Sequence, residues 1–174
     1  GKNITYLCYN ANFYEPCIMQ RPDLITHIEN EITYYIEPKV DNCFNALKEK
    51  LESKNYNIEM GNMQLQTELQ AGKVVIDIDR DFKITKREET RSFDNFNLVI
   101  NSPINDLAEV AMEIANQEAK YCDFDILRYM VLYPEYSLEK FRPGDGDVIY
   151  QINHVQTNQK FMLAVRSCAL PPGF

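Results

Sequence analysis

The hydrophobic spacing changes period along this chain, and that change limits the folds open to it. Between residues 23 and 54 apolar side chains recur every three or four positions, as in an amphipathic helix. Between residues 56 and 101 they alternate with polar side chains, as in strands with one buried face. Helical spacing then returns after residue 102. This succession predicts an α+β fold.

The first helical segment, residues 23–54, is long and contains a proline. Its apolar positions begin at Leu24 and continue to Leu51. Pro38 lies between them, where it lacks the donor for the preceding turn and its ring clashes with that turn's carbonyl. We therefore expect a long N-terminal helix with a kink or a break at Pro38.

The remaining segments complete a single predicted domain, residues 1–174. We expect an irregular, disulfide-bearing lead-in over residues 1–22, and Gly-Asn and Ala-Gly turn signals predict an antiparallel meander over residues 56–101. Residues 102–133 are expected to form two helices, with Ser102 as the first capping residue. Residues 147–168 are expected to form a hairpin. The prediction is an antiparallel sheet of about six strands, with the long kinked helix and the helical pair packed on one face.

Five cysteines without any C-x-x-C spacing favour structural disulfides over a zinc or redox site. We expect Cys8 to pair with Cys17, and Cys43 to pair with either Cys122 or Cys168. Buried free thiols that act as small apolar side chains are the alternative.

Several features indicate a location outside the cytoplasm. Disulfides persist in oxidising compartments, and Asn3 begins an Asn-Ile-Thr glycosylation sequon. The longest apolar runs are far shorter than the roughly 18 residues that a spanning helix needs. We therefore expect an extracytoplasmic domain.

The negative net charge limits the kinds of molecule that the chain is expected to bind. The chain has 18 basic and 26 acidic side chains and a net charge of −8. Such a surface repels nucleic acid and anionic membranes. We expect a protein partner in the cell envelope, no nucleic acid, and membrane contact only through an anchor.

Two acidic stretches are candidate Ca²⁺ sites, since carboxylate oxygens are the ligands that this ion prefers. Asp77, Asp79 and Asp81 alternate along a predicted strand and share one face, while Asp145 and Asp147 lie in a glycine-rich loop. A solvated strand face and a hairpin turn explain the same residues without metal. No other cofactor is expected.

Enzyme signatures are missing from the sequence, which favours a non-enzymatic domain. It has no nucleophile elbow, phosphate-binding loop or dinucleotide fingerprint, and only two histidines, His27 and His154. A hydrolase that uses carboxylates or a Cys–His pair is the alternative. Asp145, Asp147, His154 and Cys168 are its first candidates.

The segments "YLCYN", "YEPC", "RPDLITHIENEI", "INSPINDLAEVAMEIANQEA" and "SCALPPGF" resemble uncharacterised, membrane-anchored extracytoplasmic proteins of small-genome archaea. Those proteins have no established activity, so the resemblance implies a location and no functional residue. It implies an ectodomain outside the cytoplasmic membrane, with its membrane anchor on the N-terminal side and outside this chain.

Three hypotheses follow from these patterns. The first is a structural or protein-interaction domain of the envelope, stapled by disulfides and rich in tyrosine, a residue that suits protein contacts. The second is the extracytoplasmic hydrolase. The third is a subunit of a surface filament or secretion apparatus.

Overall fold

The computed structural model describes residues 4–144 and 146–171, which contain three helices and nine strands in two sheets. The predicted α+β class is confirmed. The chain divides into two compact units. We call Thr26–Asn101 the central unit, and Gly1–Ile25 with Ser102–Phe174 the terminal unit.

Helix α1, Leu24–Glu52, is continuous through Pro38, so the expected break does not occur. Pro38 is exposed, and water can therefore satisfy the carbonyl that loses its donor. In the central unit the helix packs through a narrow, half-buried stripe in which every fourth residue is large and apolar. These residues are Ile28, Ile32, Ile36, Val40 and Phe44.

The sheet of the central unit is built around one long strand. Its strands are β3 (Asn57–Met60), β4 (Gln64–Gln70), β5 (Lys73–Lys86) and β6 (Glu89–Asn101). All pairings are antiparallel: β3 and β4 pair with successive parts of β5, and β6 pairs along nearly its whole length. The region differs from a simple meander because β3 pairs with β5 and not with β4.

A buried arginine ties α1 to this sheet. Arg80 is 6% exposed, and its Nη1 lies 2.8 Å from Asp41 Oδ1 on α1. Its Nε donates to the Gly61 carbonyl at 3.1 Å, and its guanidinium lies over the Phe44 ring. A buried cation is tolerated only when it is paired and hydrogen-bonded, and here both conditions are met.

The terminal unit has a mixed sheet in the order β2-β1-β9-β8-β7. The strands are β1 (Tyr6–Tyr9), β2 (Ile18–Met19), β7 (Tyr136–Gly144), β8 (Asp147–His154) and β9 (Lys160–Arg166). β1 lies parallel to β9, whereas the other pairings are antiparallel.

These strands correct the prediction of one antiparallel sheet of about six strands. Residues 1–22 hold two strands and are not wholly irregular, and β7 was not predicted. Strands of four and two residues are too short to show an alternation of apolar and polar side chains. β7 contains a single buried residue, Leu138, so its sequence shows no alternation either.

The helical pair consists of α2 (Ile104–Tyr121) and α3 (Ile126–Leu132). The predicted buried stripe of α2 is confirmed: Leu107, Val110, Ala111, Ile114 and Ala115 are all buried. The predicted cap is wrong. Pro103 is the N-cap without a side-chain bond, and Ser102 Oγ donates to Gln159 Oε1 at 3.0 Å.

Two disulfides staple the terminal unit. Cys8 is bonded to Cys17, the pairing that the sequence favoured, and Cys122 is bonded to Cys168. Cys43 is exposed on α1 with a free thiol, which differs from the expected pairing of this residue. The Cys122 bridge joins the end of α2 to the segment that follows β9.

The two bridges fit a domain outside the cytoplasm, because cytosolic thiols are kept reduced. Within residues 4–144 and 146–171, no helix combines the length and apolar character needed to cross a bilayer.

Thiol counting tests the cysteine assignment. We expect alkylation of the folded, unreduced chain to label one cysteine, Cys43, and alkylation after reduction and unfolding to label all five. Intact mass gives the count, and peptide mapping gives the positions. Labelling of Cys122 or Cys168 before reduction, or protection of Cys43, would contradict the assignment.

Candidate binding site

Helix α2 has two chemically different faces. One carries the buried stripe that packs on the sheet. The other carries Glu109, Met112, Glu113, Asn116 and Lys120 at intervals of three and four residues, so these side chains lie in a row. This row forms one wall of a groove in the terminal unit, which we call the α2–α3 groove.

Helix α3 provides the opposite wall. Asp125 caps the helix by accepting the Arg128 N–H at 3.0 Å. Arg128, Tyr129 and Leu132 line the groove, together with Tyr133 just beyond the helix. A helix this short depends on tertiary packing for its stability. Contacts with the core of the unit therefore hold this wall in place.

Those contacts are aromatic. Tyr129 is 8% exposed, and its ring centroid lies 5.3 Å from that of Phe124 and 4.6 Å from that of Tyr133. Phe124 is buried and packs edge to face on Tyr150 of β8, with the centroids 6.0 Å apart. The wall formed by α3 is therefore held to the core of the unit by aromatic packing.

The groove has a volume of about 810 Å³, within the size range of ligand-binding clefts. A smaller cavity of about 260 Å³ shares Glu109, Glu113, Tyr129 and Tyr133 with it. The smaller cavity also includes further acids and another tyrosine. We call its four carboxylates the acidic end: Asp106, Glu109, Glu113 and Glu135.

Burial and the charges of this acidic end raise the pKa values of two tyrosine hydroxyls. Burial, followed by the Glu113 charge, raises the pKa of Tyr129 well above its usual value. Burial, followed by the Asp106 charge, raises the pKa of Tyr136. Both hydroxyls stay protonated at neutral pH, and the negative potential around them favours a cationic group.

The outer face of α3 is apolar although it faces water. Leu127 is 69% exposed, Val131 81% and Leu132 62%. Leu127 and Val131 are one helical turn apart and so lie side by side. Adjacent exposed aliphatic side chains of this kind are typical of contact surfaces. We call these three residues the apolar rim.

A buried charge network lies on the sheet side of α2. Glu118 is 1% exposed, and the Tyr150 hydroxyl donates to its Oε1. Lys140 Nζ lies 3.5 Å from Glu118 Oε1 and 2.5 Å from Asp123 Oδ1. Ser167 Oγ donates to the Glu118 carbonyl at 2.9 Å. We call Glu118, Asp123, Lys140 and Tyr150 the Glu118 network.

The pKa directions agree with these contacts. Burial, followed by the hydrogen bond to Glu118, raises the pKa of Tyr150 far above its usual value. The hydrogen bond from Lys140 lowers the pKa of Asp123. Since these groups satisfy one another, we interpret the network as support for α2 and not as reacting groups.

The hydrolase candidates do not form a nucleophile with its base. The Cys168 sulfur is bonded to Cys122, so it provides no thiol. His154 Nδ1 lies 2.9 Å from Thr157 Oγ1, and its ring packs near Tyr136. The Cys168–His154 arrangement therefore lacks its nucleophile.

The carboxylate candidates are also separated. Asp147 and His154 lie at opposite ends of β8. Asp147 accepts the Tyr6 hydroxyl at 2.8 Å and lies 4.0 Å from Arg166 Nε. Burial, followed by this hydrogen bond, raises the pKa of Tyr6 to about 12. Asp145 lies outside the described residues.

The candidate metal ligands of the central unit are exposed. Asp77, Asp79 and Asp81 lie on the outer side of β5, and Asp77 Oδ1 accepts from Asn97 Nδ2 at 2.5 Å. In the part of the chain that the structure describes, no three His, Cys, Asp or Glu side chains are grouped so that they can hold a metal ion. Asn3, the sequon residue, lies outside that part.

Sequence reasoning did not find the groove. The row on α2 was visible as the polar side of an amphipathic helix, and Tyr129 and Tyr133 have helical spacing. Tyr136, however, belongs to β7, the strand that was not predicted. The approach of Glu113 and Tyr129 depends on how the two helices pack, which their spacing does not reveal.

Comparisons of this chain with protein-family models, with curated proteins and with solved structures found no match. The geometry of its own side chains therefore has to carry any functional conclusion.

Removing the Tyr150 hydroxyl tests the Glu118 network. We expect Tyr150→Phe to lower the free energy of unfolding by about 1–3 kcal/mol, because Glu118 loses a buried donor. Urea unfolding at neutral pH measures the loss. Tyr14→Phe is the matched control, since Tyr14 is 58% exposed, and it should have little effect. Equal effects of the two changes would contradict the network.

The same tyrosine predicts a loss of stability in alkali. Its pKa is raised in the folded chain, so its contribution is fully present below the unfolded pKa of about 10 and is lost as pH rises above it. We expect the free energy of unfolding to fall more steeply above pH 10 in the native chain than in Tyr150→Phe. Parallel slopes would show that Tyr150 is not the group responsible.

Proposed function

We propose that this chain is a protein-interaction domain that acts outside the cytoplasm, and that its α2–α3 groove binds a basic, amphipathic segment of a partner in the cell envelope. One observation carries the proposal. The groove combines the exposed Leu132 with a lining of carboxylates and tyrosines, and Leu127 and Val131 extend the exposed aliphatic surface along the same short helix.

The apolar rim supports a protein ligand. A partner side chain that covers Leu127, Val131 and Leu132 removes apolar surface from water, at about 25 cal/mol per Å² buried. A groove with helical walls can also accept a helix, whose anchor side chains are spaced by three and four residues. A small polar metabolite would leave the rim uncovered.

The acidic end supports a basic ligand. Five carboxylates line the two cavities, Asp125 together with the acidic end, against two cations, Lys120 and Arg128. A lysine or arginine side chain that enters between Glu113 and Tyr129 gains both an ion pair and a cation–π contact with a tyrosine face. Because the overall charge is also negative, a basic partner is attracted from a distance.

The support of α2 favours a binding surface that is formed before the ligand arrives. The Glu118 network holds the sheet side of α2, and the Cys122–Cys168 bridge holds the region where the helix ends. Rigid walls lower the entropy cost of binding, which is a common feature of recognition surfaces.

The hydrolase hypothesis has less support. Cys168 is in a disulfide, His154 bonds Thr157, and the buried acid Glu118 is already paired. A binding domain needs no free nucleophile, and it uses the polar and aromatic side chains that line the groove.

Peptide selection tests the proposed function. A library of random 16-residue peptides is selected against the immobilised, oxidised chain at low salt. We expect the enriched peptides to combine Lys or Arg with aliphatic or aromatic residues at helical spacing. Their binding should weaken as salt rises, because the acidic end contributes through charge.

Charge-reversal variants locate the binding. Glu113→Lys should weaken the selected peptides about tenfold or more, which corresponds to about 1.4 kcal/mol. Glu139→Lys is the matched control, because Glu139 is exposed on β7 outside the groove, and it should leave binding unchanged. Selection of acidic peptides, or equal losses in both variants, would contradict the proposal.

A further inference from the structure

We propose that two copies of this chain pair through the outer edges of their β6 strands and form a closed, two-fold symmetric dimer. The surface lies in the central unit and is independent of the α2–α3 groove.

β6 is a long edge strand that little of the chain covers. It has 13 residues, and in the described residues its only pairing is with β5. Every residue of β6 is exposed except Phe96, which is half-buried. In an edge strand alternate N–H and C=O groups point away from the sheet, so this edge fits another strand better than any other element.

The side chains of β6 add an apolar contribution to that edge. Leu98 and Ile100 lie opposite the buried Ile76 and Val74 of β5, so they belong to the face that packs on α1. They are nevertheless 51% and 45% exposed. A strand added beside β6 would cover this margin and continue the apolar face of the sheet.

Charge favours a second copy as the occupant. The stretch Asn95 to Asn101 contains no charged residue, although the chain as a whole carries a net charge of −8. Edge strands of soluble proteins are usually guarded by charged side chains or proline, and this stretch has neither. Two copies can therefore bring these stretches together without opposing like charges across the pair.

One register satisfies the faces and the charges together. With Leu98 on the two-fold axis of an antiparallel pair, Phe96 lies opposite Ile100 of the second copy, and both belong to the α1-facing side. Asn95 then lies opposite Asn101 of the second copy, so Asp94 falls just outside the paired stretch and the carboxylates do not meet. A shift by one residue would bring apolar and polar faces together.

Closure follows from this symmetry. A two-fold contact uses the same edge on both copies, so neither dimer partner keeps a free β6 edge for further growth. The pairing therefore gives a dimer and not a filament, which separates it from the hypothesis of an assembling surface subunit.

Sedimentation of the oxidised chain tests the dimer. We expect the mass to rise with concentration from that of one chain to that of two and then to stay constant. Leu98→Lys places two like charges on the axis and should raise the dissociation constant about tenfold or more. Ile18→Lys, a change at a more exposed position on the edge strand β2, should leave it unchanged. Thermal melting checks that both variants fold.

Disulfide trapping tests the register. In a Cys43→Ser background, Leu98→Cys should form a covalent dimer under mild oxidation, because residue 98 of one copy lies opposite residue 98 of the other. Ile100→Cys, on the same face and similarly exposed, should cross-link far less, because it faces Phe96 of the second copy.

Several outcomes would overturn the proposal. A chain that stays monomeric at all concentrations has no self-pairing edge, even if β6 binds a strand from another protein. Continued growth beyond two chains would rule out closure. A dimer that survives Leu98→Lys unchanged uses another surface, and equal cross-linking of the two cysteine variants would rule out this register.

Discussion

The buried Glu118 carboxylate is the constraint on which the terminal unit depends. It lies on the mostly apolar buried side of α2, and burying a charge costs several kcal/mol unless a partner compensates it. Tyr150 from β8 and Lys140 from β7 supply that compensation. The helix must therefore sit on the sheet where both can reach Glu118. Its opposite side, with Glu109 and Glu113, is then left to form the groove.

The two surfaces suit different kinds of contact. The α2–α3 groove offers carboxylates, tyrosine rings and the apolar rim, so its specificity would come from side chains. The edge of β6 offers backbone hydrogen bonds beside an uncharged apolar margin, so its specificity would come from strand pairing and register. Both surfaces belong to a chain whose bridges suit an oxidising compartment.

The elements that could be predicted from the sequence are those whose defining residues lie close together along the chain. The stripe of α2 and the strands from β4 to β6 were predicted because their spacing lies within one element or across one turn. β1 was missed because its four residues gain their place beside β9 from contacts about 150 residues away. The groove was missed for the same reason: Glu113 and Tyr129 were each visible as exposed-face or aromatic positions, but their convergence depends on helix packing.

The sequence by itself determined the α+β class, the long first helix and the acidic charge, and it favoured the Cys8–Cys17 bridge, whose two cysteines are only nine residues apart. The tertiary structure decided the division into two sheets, the Cys122–Cys168 bridge and the free thiol of Cys43. It also decided that Leu127 and Val131 face water and that β6 lies at an edge. Local periodicity indicates which side chains share a face. Whether that face is covered depends on the packing of segments that are distant along the chain.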